Sequence, residues 1–219
     1  MGAHQNPRTY RYPYELLPCV GVVKRRYIGQ GRLAVKRVLV ITLLCLPIAA
    51  WALFKPVRVV APELAGLPCA DDRLCVDAPS MRERAQQLYD DALRFVDASV
   101  GLIHEKPRVI FCSTDACGQI FGLGRRSAFT VGTFGIVIGP CAWKPFYVRH
   151  EMIHYLQSER LGNIRAWREP KWFTEGMAYA LSGDPRPKLS EPYQGFRSDF
   201  ERWYAGIGRE GLWRAARDL

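Results

Sequence analysis

The sequence predicts an α+β fold: a small antiparallel sheet and several helices in one domain, preceded by one transmembrane helix. Three observations carry this. A chain of 219 residues with 48% apolar content can build one domain with a proper core, but not two. A single stretch is uncharged for the length of a bilayer. Beyond it, short β-branched runs alternate with longer segments of helical periodicity.

The uncharged stretch is Val38 to Phe54, VLVITLLCLPIAAWALF. Only Thr42 interrupts its apolar character, whereas a soluble helix would show a polar face every 3.6 residues. Pro47 is tolerated in a membrane helix. Lys24, Arg25, Arg26, Arg32, Lys36 and Arg37 precede the span, and only Lys55 and Arg58 follow it closely. The positive-inside bias puts the N-terminus in the cytoplasm and the remainder outside it, with Trp51 as an interfacial anchor. Two other readings remain open. Ala50-Trp51-Ala52 has the A-x-A form of a signal-peptidase site, and a start near Val35 would make the segment an ordinary signal peptide. A lipoprotein is disfavoured, because Leu44 before Cys45 is not small. All of these export the domain. The expected divisions are residues 1–37 as a cytoplasmic tail or mis-assigned start, 38–54 as signal-anchor, 55–79 as a Pro-rich connector, and 80–219 as the folded domain.

Charge excludes one class of partner. Ten Lys/Arg and one acid lie in residues 1–58, leaving 21 Lys/Arg against 20 acids in 59–219. The net charge of +10 is therefore an N-terminal property, and the domain offers no footprint for nucleic acid. Of the seven cysteines, Cys69/Cys75 and Cys112/Cys117 form close pairs that suit short disulfide loops in an oxidising compartment. The spacing alone leaves other pairings and a zinc knuckle open. Cys141 is left over and is expected as a buried free thiol.

Within the domain, Ser80 can cap a helix to about Ser99 with Ala85, Leu88, Ala92, Phe95 and Val96 on one face. Arg108–Cys112 reads as a strand, and residues 114–122 as a short helix. Ala128–Val131 and Phe134–Ile138 read as a hairpin turning at Gly132-Thr133. Helices follow from Pro145 to Arg160, from Pro170 to about Ser182, and from Gly195 to Tyr204, with a loop from Gly162 to Glu169.

The chemistry-bearing pattern is His150-Glu151-Met152-Ile153-His154, an H-E-x-x-H on a helix and half of the chain's four histidines. Residues four apart share a helix face, so both imidazoles can converge on one cation. Glu151, beside the first of them, can act as a base. A catalytic zinc ordinarily takes a third protein ligand. Glu175, the single acid in Pro170-Lys171-Trp172-Phe173-Thr174-Glu175-Gly176-Met177-Ala178, is the candidate. Gly176 and Ala178 are small enough to let its helix approach the motif helix closely.

H-E-x-x-H followed by P-x-W-x-x-E-G-x-A resembles the gluzincin metallopeptidases, in particular their peptidase MA-like branch, over Phe134 to Ser182. The resemblance implies a zincin-like fold and Zn2+ on His150, His154 and Glu175, with Glu151 as general base. It also implies a strand edge before the motif helix that aligns an extended peptide, for which Phe134–Ile138 is in place. The pattern departs from the family at Tyr179, where some members carry an Asp that orients a motif histidine. No histidine follows His154, so Tyr193, with Tyr179 behind it, is the candidate oxyanion donor. The expected function is a membrane-tethered zinc peptidase acting on peptide or protein substrates, its membrane contact made through residues 38–54. The alternative is a catalytically silent zinc-binding envelope domain that acts through protein partners.

Overall fold

The computed structural model describes residues 27–70 and 73–219. Cys19 and most of the expected tail lie outside the described residues. The chain divides into two compact units, Met1–Leu44 and Cys45–Leu219.

Helix α1 spans Tyr27–Leu53 and contains Pro47. It starts well inside the expected 1–37 tail, because Leu33-Ala34-Val35-Lys36-Arg37 are good helix formers that run into the apolar span without a break. Ala34–Leu53 is apolar enough to cross a membrane. Leu39, Leu43 and Ile48 on it are exposed, which separates it from a buried core helix. Its last turn is capped by a cation. The Arg58 guanidinium donates to the carbonyls of Trp51 (3.2 Å), Ala52 (2.7 Å) and Ile120 (3.0 Å), oxygens that a helix end leaves without partners.

Residues 55–79 are not an irregular connector. They form two 3-10 turns and then strands β1 (Cys69–Ala70) and β2 (Leu74–Val76), an antiparallel pair closed by the Cys69–Cys75 disulfide. After the amphipathic helix α2 (Arg82–Ser99) comes β3 (Val109–Phe111). A second disulfide, Cys112–Cys117, joins the end of β3 to helix α3 (Asp115–Ile120), where the Thr114 side chain accepts from the Cys117 amide as N-cap. Strands β4 (Ala128–Val131) and β5 (Gly135–Ile138) form the expected hairpin. Gly132 turns it at a φ of +49°, in the left-handed region that favours glycine.

The sheet order is β1-β2-β3-β5-β4, with β2, β3 and β5 parallel and both edges antiparallel. The expected antiparallel sheet is therefore a mixed one. The parallel pairing of β2 with β3 requires a crossover, which α2 supplies, and β2 is only three residues long in a stretch whose prolines mask it. Helices and turns cover both faces. Val109, Phe111, Ile136 and Ile138 point to the cluster with α2 and the later helices, while Ile110 and Val137 point to one with Val59, Leu67, Phe121 and both disulfides. That two-sided burial explains the continuous apolar runs Val-Ile-Phe and Ile-Val-Ile.

Helix α4 (Pro145–Leu161) crosses the first face. The segment after it is not a plain loop but a short helix, α5 (Asn163–Arg168), followed by α6 (Lys171–Leu181), α7 (Tyr193–Ala205) and α8 (Gly208–Ala215). Asn163, at the start of α5, clasps the hairpin turn: its Oδ1 accepts from the Thr133 amide at 2.9 Å and its Nδ2 donates to the Thr133 hydroxyl at 3.1 Å. The free cysteine Cys141 is exposed rather than buried, because it sits in the 3-10 turn Pro140–Ala142 at the surface.

Gly176 serves a different neighbour from the one its smallness suggested. A Cβ there would collide with the Phe196 carbonyl oxygen and the Phe200 Cβ of α7, so glycine admits α7 rather than α4. Beside it Trp172, Phe173, Phe200 and Trp203 pack in edge and tilted contacts 5.5 to 6.2 Å apart that lock α6 to α7. The substitution Gly176→Ala adds roughly 1 kcal/mol of helix propensity. Against that stands an overpacking cost of about 1–3 kcal/mol at a backbone carbonyl that cannot rotate away. The expected result is a lower thermal midpoint for the Ala variant, and an unchanged or higher midpoint would show that α7 yields.

Candidate metal centre

Helix α4 opens with Pro145 in its first turn, where a missing N–H costs nothing. Its buried residues include Val148, Met152, Ile153 and Leu156, which press the helix onto the sheet. The same register turns His150 and His154 toward α6. Their Nε2 atoms stand 3.1 Å apart. From α6, Glu175 Oε2 lies 3.7 Å from His150 Nε2 and 3.6 Å from His154 Nε2. Ligands at about 2.0–2.2 Å from one tetrahedral ion are separated by roughly 3.3 Å. The triangle of two imidazole nitrogens and a carboxylate oxygen thus has the dimensions of a site for one cation, and the group can hold a metal ion.

His154 is oriented by a residue that the motif did not single out. Gln157 lies three positions on and is almost completely buried. Its amide nitrogen donates to the Thr174 carbonyl at 2.9 Å and faces the Met177 sulfur, so its Oε1 is the acceptor for His154 Nδ1 at 2.9 Å. With Nδ1 as donor, the Nε2 lone pair faces the triangle. Gln157 therefore joins α4 to α6 and sets the tautomer of His154 in one contact. Tyr179, four residues beyond Glu175, packs its ring edge-on against His150 at 4.5 Å. The legible signal for Gln157 was its spacing: three residues after His154, on the same helix face.

Glu151 lies beside the triangle and outside it. It is buried, and the Thr130 hydroxyl of β4 reaches both its Oε2 (2.8 Å) and its backbone carbonyl (2.9 Å). One carboxylate oxygen is thereby engaged and the other is left to the cleft. That cleft, of about 680 Å3, is lined by Ala128, Phe129 and Thr130 of β4 together with His150, Glu151 and Glu175. The strand beside the cleft is thus the sheet edge β4, not residues 134–138. Of those, Gly135–Ile138 form β5, which is paired on both sides by β3 and β4. Tyr193 also lines the cleft, at the start of α7 with its ring 5.3 Å from that of Tyr179. His104 lies apart from the cleft, where its Nδ1 faces Glu159.

No family model, curated protein or solved structure matches this chain. Burial pushes the His154 imidazolium down, but the hydrogen bond and charge of Glu175, the charge of Glu151 and the Gln157 bond outweigh it and hold its pKa at about 9. Burial raises the Glu175 carboxyl, and its bonds to both imidazoles overcome that and keep it well below the usual carboxylate range. The Tyr179 hydroxyl is pushed up to about 12 by burial and by the Glu175 charge, so it remains a donor throughout the physiological range.

Three outcomes follow from this arrangement. In the metal-free protein His154 carries a proton at neutral pH, and a metal must displace it. Calorimetric titration in buffers of different ionisation heat should therefore record proton release at pH 7 that fades as pH rises past about 9. The same raised pKa stabilises the metal-free fold fully below the unfolded value of about 6.5, and that contribution is lost as pH rises through about 9. Replacing Gln157 by Leu removes the acceptor that fixes His154, so metal affinity should fall about 10–100-fold, with Gln157→Glu restoring most of it. Unchanged affinity in the Leu variant would show that His154 needs no such support.

Proposed function

We propose that this protein is a membrane-tethered, zinc-dependent peptidase with a gluzincin-type site on a zincin-like domain. The observation that carries the proposal is the triangle of His150, His154 and Glu175 donor atoms with the Glu151 carboxylate beside it and outside it. Two imidazoles and one carboxylate suit zinc, a borderline cation that takes such three-residue sets in catalytic sites. Zinc held there would supply a Lewis acid, acidifying water toward neutrality and polarising a substrate carbonyl.

The remaining work falls to side chains of the chain itself. Thr130 holds Glu151 Oε2, which leaves Oε1 to accept a proton from the attacking water and later to deliver it to the leaving amine. An extended peptide can pair with the free edge of β4, whose residues line the cleft. Tyr193, on the cleft wall, would donate to the developing oxyanion, with Tyr179 packed between it and His150. The Lys/Arg excess that precedes the apolar span favours an N-terminus in the cytoplasm. Two disulfides beyond α1 suit an extracytoplasmic domain.

The test uses the full chain in detergent and a quenched peptide library, with cleavage that a chelator abolishes and zinc restores. Glu151→Gln should keep zinc and lose turnover, Glu175→Ala should lose both, and Tyr193→Phe should lower kcat with zinc retained. Equal zinc content in wild type and Glu175→Ala would remove Glu175 from the site. Zinc binding by the wild type without any cleavage would instead favour a silent zinc-binding domain with protein partners.

A further inference from the structure

One wall of the cleft carries a cation that the proposed hydrolysis does not use. Arg186 follows α6 in the loop that leads to α7, and its side chain is anchored from behind. Asp184, whose side chain is 1% exposed, accepts from Arg186 Nε at 2.9 and 3.0 Å, from the Arg186 amide at 3.0 Å, and from Nη2. Those bonds occupy one edge of the guanidinium. No described residue accepts from its Nη1. Three rings fix its position: Phe146, Tyr147 and Tyr179, with centroids 5.3, 5.6 and 5.8 Å from the guanidinium carbon. Tyr179 is the ring that packs against His150, so Arg186 is one aromatic ring removed from the candidate metal centre. Arg186, His150 and Glu175 line the same cleft.

The charge of the cleft points the same way. Arg125, Arg126 and Lys171 also line it, and the only acids in the lining are Glu151 and Glu175. Arg126 bonds backbone carbonyls of Gly122 and Leu123, and neither Arg125 nor Lys171 pairs with a carboxylate among the described residues. Both lining acids are engaged at the centre. The domain as a whole is nearly neutral, with 21 Lys/Arg against 20 acids in residues 59–219. Asp184 balances the Arg186 charge, so the excess rests on Arg125, Arg126 and Lys171 and leaves the cleft modestly cationic on a neutral body, which favours an anion there.

We infer that Arg186 determines specificity at this site and that the substrate is a peptide presenting a carboxylate to it, from an acidic side chain or from its own C-terminus. The inference rests on the peptidase reading above. A guanidinium held by a buried acid and packed among aromatic rings is already ordered, so a carboxylate gains a charge-assisted hydrogen bond without ordering a long side chain.

The test measures binding to the zinc-loaded full chain in detergent. The probes are hydroxamates that carry a terminal carboxylate on methylene chains of graded length, each matched by its primary amide. The wild type should bind the best-fitting acid about tenfold or more tightly than its amide. Arg186→Gln should erase that ratio with zinc content and amide affinity unchanged, Arg186→Lys should keep part of it, and Lys188→Gln, outside the cleft lining, should keep all of it. The amide is the internal control for folding. Equal affinities in the wild type, or a ratio that survives Arg186→Gln, overturns the role of Arg186. Failure of both probes to bind, or absence of bound zinc, is a failure of the peptidase reading itself, and this inference falls with it. Turnover by the wild type then assigns the source of the carboxylate. Cleavage that follows Glu over Gln in amidated peptides assigns it to a side chain, and cleavage lost on amidating a neutral peptide assigns it to the terminus. Neutral amidated peptides cleaved as well as either overturn the requirement.

Discussion

Two imidazoles and a carboxylate held within 3.7 Å of one another are costly to bury unless they share a charge or a cation. The approach of α4 to α6 that creates this cluster is the constraint around which the rest of the domain is arranged. Apolar residues of α4 hold one side on the sheet. The aromatic contacts of Trp172, Phe173, Phe200 and Trp203 hold α6 from the other, with Gly176 letting α7 close behind it. Gln157 spans the gap between the two helices, spending a buried amide on a single geometry. The cluster is tolerable because each of its members has a partner.

Much of the site was legible in the sequence, because helical periodicity converts spacing into proximity. His150 and His154 share a face by arithmetic, and Glu175 was the single acid in an apolar segment one short connection away. What spacing could not deliver was contact between non-local elements. Thr130 reaches Glu151 across 21 residues from a strand, and Arg186 reaches the cleft through a loop with no period. Gln157 was within reach of the same arithmetic, but a neutral amide carries no signature of chemistry.

The sheet was harder to read than the helices. The strands at 109–111, 128–131 and 135–138 announced themselves by β-branched and aromatic runs. Strand β2 did not, being three residues between prolines and a disulfide loop, and without it the parallel pairing was invisible. Nor did the local pattern show that β3 pairs with β5, which leaves β4 at the sheet edge. Which strand of a hairpin faces outward depends on what else pairs, and a local pattern does not contain that information.

Both cystine bridges lie with Val59, Leu67, Phe121 and Val137 on one side of the sheet, while α4 and its imidazoles occupy the other. The two disulfides and the candidate metal site are thus separated by three buried β-strands. A reductant that opens the bridges loosens the rear of the molecule and leaves the two histidines and Glu175 without a competing thiolate among them. The layer that supplies the domain with its core also serves as an insulator between soft sulfur and the harder nitrogen and oxygen donors of the candidate site.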